Sequence, residues 1–146
     1  MQKGNEIISI KPRVYQEAII NTAKNNNTLV VLPTGLGKTL IALYLSIHRI
    51  QKYPGEKILF LAPTRPLIEQ HINYFKKYLP ELYAQLELFT GHISPKERVK
   101  LFHQADIIFS TPQCIANDIS HGLYSLQNIS NSSLLKYSIK WITCNI

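Results

Sequence analysis

Leu32-Pro33-Thr34-Gly35-Leu36-Gly37-Lys38-Thr39 decides how the chain is read. Ahead of it, Thr28-Leu29-Val30-Val31-Leu32 is a short apolar run with β-branched residues, which predicts a buried strand. Behind it, residues 40–49 are helix-forming and mostly apolar. A strand, a Gly-containing loop ending in Gly-Lys-Thr and a helix make a phosphate-binding P-loop. The glycines let the backbone fold closely around phosphate oxygens with several N–H groups turned inward. The helix N-terminus adds its partial positive charge. In this arrangement Lys38 reaches the β- and γ-phosphates of a nucleotide, and the Thr39 hydroxyl holds Mg2+. The usual pattern, Gly-x-x-x-x-Gly-Lys-Ser/Thr, has Gly where this chain has Leu32. The competing reading is a Gly-rich turn between strand and helix with no ligand.

Size and charge narrow the field. A chain of 146 residues is one domain or part of one, long enough to bury a core. Lys and Arg number 16 against 9 Asp and Glu, a net charge of +7, which favours a polyanionic partner. Cys114 and Cys144 stand in no metal-ligand spacing, so a reduced, intracellular, cytoplasmic protein is expected. No run approaches the roughly 18 apolar residues of a membrane span, and the N-terminus leads into no signal-like apolar stretch.

Along the chain, Pro12 suits the first turn of a helix running to Ala23, with Val14, Ala18 and Ile19 on its apolar face. Strands are expected at 57–62, 86–90 and 106–110. Each precedes a helical stretch: Thr64 as N-cap of a helix to Tyr78, Ser94-Pro95-Lys96-Glu97 as a capping box opening a helix to Phe102, and Thr111-Pro112 opening a helix to Ile119. Leu67, Ile68, His71, Ile72 and Phe75 mark the inner stripe of the first of these helices. Four β-loop-α units predict an α/β fold, a mostly parallel sheet with helices on both faces. Ligands of such sheets bind beyond the carboxyl ends of the strands, and every candidate motif falls there.

Taken in order, the motifs resemble those of the first RecA-like domain of superfamily 2 helicases, in the archaeal Hef branch related to the Fanconi-type M translocases. The resemblance rests on Arg13-Val14-Tyr15-Gln16, residues 31–39, residues 61–67, Thr90-Gly91, residues 94–98 and residues 110–113. It implies a P-loop NTPase fold binding ATP and Mg2+. The nucleotide contacts it implies are Arg13, Gln16, Leu32, Pro33, Thr34, Gly35, Leu36, Gly37, Lys38 and Thr39, with Lys38 and Thr39 serving catalysis and Thr39 the metal. Gln16 corresponds to the family's adenine-reading glutamine, since an amide both donates and accepts; a solvated helix residue is the alternative. Thr64, Arg65 and Pro66, then Thr90 and Gly91, then Thr111 and Pro112 correspond to segments that contact the sugar-phosphate backbone of a nucleic acid, DNA rather than RNA by the Hef likeness. Ordinary helix capping would also explain Thr64 and Thr111. Lys76, Lys77, Lys96, Arg98 and Lys100 either extend a basic surface or are simply solvated.

An ATPase of this family also carries Asp-Glu-Ala-His after an apolar strand, with Asp holding Mg2+ and Glu positioning water. The 146 residues contain no such sequence, and the only two Asp are Asp106 and Asp118, neither at the end of an apolar strand. The expectation is therefore a lead-in at 1–11, a partial RecA-like ATP-binding domain at 12–130 and a divergent tail at 131–146, with 133–146 pairing into the sheet. On this reading the chain is no helicase alone. A second chain carrying the acids and a second RecA-like domain is an expected partner, and the alternatives are a non-catalytic module that completes or regulates another chain, or a decayed remnant.

Overall fold

The computed structural model describes residues 7–126 and 138–140. Among these the order is α1 (Val14–Ala23), α2 (Lys38–Lys52), β1 (Ile58–Leu61), α3 (Arg65–Tyr78), β2 (Leu86–Phe89), α4 (Pro95–Gln104), β3 (Ile107–Ser110), α5 (Pro112–Ser120) and β4 (Ser138–Lys140). The strands lie in the order β2-β3-β1-β4, and every pairing is parallel. The fold is the α/β class expected of alternating strands and helices.

β1 and β3 are apolar on both faces because both faces are covered. Ile58, Phe60, Ile107 and Phe109 meet Leu40, Leu43 and Ile47 of α2 and Ile68, Ile72 and Phe75 of α3. On the opposite face, Leu59, Ile108 and Phe89 meet Phe102 of α4 and Ile115 of α5. Phe60 stacks on Phe109 at 5.1 Å, and Phe75 stands edge-on to both, at 5.5 and 5.0 Å, the offset and T-shaped geometry that aromatic quadrupoles favour.

Two expectations fail. Thr28–Leu32 forms no strand: residues 27–33 carry no regular structure, and Leu29 and Val31 are 64% and 75% exposed. A strand needs a paired neighbour, and the edge of β1 is instead paired with β4 in parallel register, Phe60 opposite Ile139. The rest of the expected C-terminal strand, residues 133–137 and 141–146, lies outside the described residues. Second, the apolar face assigned to α1 is turned away from the core. Val14 is 86% exposed, Ala18 is exposed and Ile19 is half-buried, whereas Gln16 and Ile20 are buried. Pro12 also precedes the helix, whose N-cap is Arg13. What orients α1 is its polar attachment to the loop described next. The inner stripe of α3 is as read, with Ile68, Ile72 and Phe75 buried and Leu67 and His71 half-buried.

Candidate nucleotide and nucleic-acid site

The loop before α2 depends on its glycines at two points. Gly35 and Gly37 have φ of +85° and +76°, left-handed values that L side chains rarely adopt. Gly37 is the N-cap of α2 and has no side chain to cap it. Backbone bonding into the helix starts with Ile41 N–H donating to the Gly37 carbonyl at 3.3 Å. The N–H groups of the first turn, Lys38 to Leu40, thus have no intrahelical acceptor, as at any helix start. Lys38 crosses the loop, its Nζ donating to the Leu32 carbonyl at 2.8 Å. The Thr39 hydroxyl lies 3.4 Å from Nδ1 of His71 on α3. Burial lowers the His71 pKa, which favours the neutral imidazole.

α1 is fixed to this loop by two adjacent residues. The Tyr15 hydroxyl donates to the Leu36 carbonyl at 2.8 Å. Gln16, 3% exposed, donates from Nε2 to the carbonyls of Leu36 at 3.4 Å and Gly37 at 3.2 Å, and its Oε1 accepts from the Arg13 N–H at 2.8 Å. The solvated alternative for Gln16 therefore does not hold. Arg13, Pro33, Thr34 and Gly35 are exposed, and Leu32, Leu36, Gly37, Lys38 and Thr39 are half-buried.

The register brings the remaining expected residues to one end of the sheet. Leu61 and Phe89 both stand opposite Ser110, so Ala62, Thr90 and Thr111 follow in one row. Ala62 N–H donates to the Ser110 carbonyl at 3.1 Å, and the buried Ser110 hydroxyl lies 3.3 Å from the Phe89 carbonyl. Three segments leave this row together: Thr64, Arg65 and Pro66 into α3, Thr90 and Gly91 toward α4, and Thr111 and Pro112 into α5. Thr64, Arg65, Pro66, Gly91 and Pro112 are exposed, and Thr90 and Thr111 are half-buried. Thr64 and Thr111 occupy N-cap positions without a side-chain capping bond, so capping does not engage their hydroxyls. Ser94 does cap, accepting from the Glu97 N–H at 3.3 Å. Arg65 donates from Nε to Glu69 Oε1 at 2.7 Å across exposed surface.

Arg98 corrects the sequence reading, which put it among surface cations. It is 7% exposed and forms a fork with Asp118, Nε to Oδ2 at 2.7 Å and Nη2 to Oδ1 at 2.5 Å. The hydrogen bond to Asp118 raises its pKa further. Tyr124 joins them, donating to Asp118 Oδ2 at 2.8 Å. Lys76, Lys77, Lys96 and Lys100 are exposed. Sequence reasoning missed Tyr15 as a loop contact and the Arg98–Asp118–Tyr124 cluster. The available signal was that Arg98 lies one helical turn before Phe102, on the face that packs inward. Among the described residues no group of three or more His, Cys, Asp or Glu could hold a metal ion, and no helix is long and apolar enough to cross a membrane.

The sequence pattern of DEAD/DEAH box helicases matches residues 13–137. The chain belongs to this family. A solved relative, the Pyrococcus furiosus Hef helicase domain, superposes with a TM-score of 0.73 at 46% identity, covering 78% of this chain and 24% of that one. A putative ATP-dependent RNA helicase of Methanocaldococcus jannaschii is 43% identical over 78% of this chain and 14% of its own length. The ATP-dependent DNA helicase fml1 of Schizosaccharomyces pombe is 37% identical over 84% of this chain and 15% of its own length. This DEAD/DEAH helicase domain is a first RecA-like domain of the Hef and Fanconi-type branch. It spans about a seventh of the full length of these two curated helicases.

Proposed function

We propose that this helicase domain binds Mg-ATP at the loop between Leu32 and Thr39 and grips a nucleic-acid backbone at the neighbouring carboxyl edge of the sheet. The observation that carries the reading is the start of α2: a left-handed glycine N-cap, a first turn of N–H groups, and Lys38 spanning the loop. Such a helix start suits an anion, and its residues fit a triphosphate with its metal. On this reading Lys38 exchanges the Leu32 carbonyl for phosphate oxygens, and Leu32, Pro33, Thr34, Gly35 and Leu36 wrap the phosphates with backbone. Thr39 offers a hydroxyl lone pair to Mg2+ and still has a proton to donate, with His71 Nδ1 as a nearby acceptor. Gln16 and Arg13 serve the adenine side.

Thr64, Arg65, Pro66, Thr90, Gly91, Thr111 and Pro112 hold the sugar-phosphate chain of one strand. N–H groups at helix starts, small hydroxyls and one guanidinium contact phosphates without reading sequence. DNA is the proposed substrate because several relatives, fml1 and the Fancm protein of Drosophila melanogaster among them, are named as DNA helicases. The carboxylates for metal anchoring and water positioning come from outside these 146 residues, as does a second RecA-like domain. The chain alone then binds ATP far better than it hydrolyses it.

The test is fluorescence anisotropy of a labelled mixed-sequence oligonucleotide, single-stranded DNA beside RNA, with and without Mg-ATP. Salt-sensitive binding that Mg-ATP alters is expected. Absence of binding in 50 mM salt, in both nucleic acids and with or without Mg-ATP, would overturn the nucleic-acid half of the reading (about 50 mM is low enough for non-specific phosphate contacts to register).

A further inference from the structure

Arg98 and Asp118 form a buried ion pair, 7% and 2% exposed, on different helices and 20 residues apart. A buried pair of this kind is weak ground for stability, because desolvation offsets much of the attraction and apolar replacements are often as stable. The bonds of this pair point to a geometric role. Beyond its fork to Asp118, Arg98 donates from Nη1 to two carbonyls of one turn, Thr90 at 3.3 Å and Ile93. That turn closes on itself, with Ile93 N–H donating to the Thr90 carbonyl at 3.1 Å. Asp118 lies on α5, the helix that opens at Thr111 and Pro112. Tyr124 donates to Asp118 Oδ2, the oxygen that also accepts from Arg98 Nε, and its ring is stacked on Phe102 of α4 at 4.2 Å. One guanidinium therefore ties the Thr90–Ile93 turn, α4 and α5 into a single unit.

We propose that the Arg98–Asp118 pair, held by Tyr124, is a positioning device for nucleic-acid binding, fixing the Thr90–Gly91 turn and the Thr111–Pro112 helix start at one spacing so that both engage the same strand. The proposal rests on the reading above that these two segments grip the backbone. The hydrogen bonds of the pair go to the Thr90–Ile93 turn and to Tyr124, not to the loop at 32–39. Loss of the pair leaves the ATP site intact and splays the nucleic-acid site, because a rigid two-point grip becomes two independent weaker ones. A fork is needed at Arg98, since only a planar guanidinium serves Asp118 and the turn carbonyls at once.

The experiment compares the parent chain with the double variant Arg98→Met/Asp118→Leu and with Tyr124→Phe. Three readouts are taken: melting temperature, the shift of that temperature by Mg-ATP, and the Kd for a labelled mixed-sequence single-stranded DNA. The apolar pair is expected to keep a cooperative transition and the parental Mg-ATP shift while the DNA Kd rises by about tenfold, the loss of one or two charge-assisted hydrogen bonds. Tyr124→Phe, which removes a single hydroxyl, raises it by about threefold. A folded double variant with parental DNA affinity overturns the proposal, as does one whose Mg-ATP shift falls in step with its DNA affinity. Should the double variant not fold, an unchanged Kd in Tyr124→Phe overturns it. A parent that binds no DNA at all sinks the backbone-grip reading itself, a result distinct from these.

Discussion

Nε2 of Gln16 lies 3.2 Å from the carbonyl oxygen of Gly37, the residue that opens α2. The two are packed so closely that a Cβ at position 37 would stand 2.2 Å from Nε2. Gly37→Ala therefore meets two separate obstacles, a left-handed backbone that costs an alanine about 1–2 kcal/mol and a clash that expels the Gln16 amide. Both melting temperature and Mg-ATP response should fall. Gln16→Ala alone loses the bonds that attach α1. In the double variant the clash is gone, so its stability loss is smaller than the sum of the two singles. Strict additivity in that thermal-melt cycle would contradict the packing described.

Ser94 is a helix cap with a measurable share of stability. Its side chain accepts from the Glu97 N–H at the start of α4. Ser94→Ala is expected to cost about 1 kcal/mol, and Ser94→Asp much less, because a carboxylate also suits a helix N-terminus. Urea unfolding midpoints separate the two outcomes; equal loss in both would argue against capping.

Acid should destabilise the domain through two histidines. His48 has its pKa lowered by burial first, then by Lys24, Lys52 and Arg49, and His71 has its pKa lowered by burial. In the unfolded chain both titrate near the ordinary value of 6.5. As pH falls through that value the unfolded state takes up protons before the folded state does. Stability is thus fully present above the unfolded value and is lost as pH drops below it toward the folded values. Melting temperature between about pH 7.5 and about pH 5.5 reads this directly, and His48→Gln should flatten the acid limb. A flat profile in the parent would contradict the two shifts.

Arg65 donates to Glu69 across exposed surface, so a phosphate bound there would compete with this carboxylate. Arg65→Ala should weaken nucleic-acid binding at low salt and reduce the slope of log K against log salt by about one. Glu69→Gln removes the competing carboxylate and should tighten binding. The same anisotropy titrations decide, and a Glu69→Gln variant that binds more weakly would remove Arg65 from the interface.

Much of this domain is legible in its residues, and its failures have physical causes. Residues 58–61 and 107–109 read as strands because they are apolar throughout, as central parallel strands must be. Thr28–Leu32 has the same composition and yet forms no strand, since composition reports what a segment could pair and not whether an edge is open to it. Here β4 lies along that edge of β1. The face of α1 was misread for a related reason: periodicity counts apolar positions, and this helix is oriented by the hydrogen bonds of Tyr15 and Gln16. Arg98 and Asp118 look like ordinary charges one at a time, and only the packing of α4 against α5 joins them. The glycines at 35 and 37 needed no such context, because their left-handed backbone is what the motif demands.

The central claim, a formed nucleotide site at the start of α2, is tested most directly by titrating Mg-ATP into the purified chain while following its melting temperature, beside Lys38→Ala. A ligand at about a hundred times its Kd adds about 2.7 kcal/mol to the stability of the folded state, a rise of several degrees for a domain of this size. A rise in the parent that Lys38→Ala lacks is the predicted result. No rise in the parent, or an equal rise in both, would contradict the account.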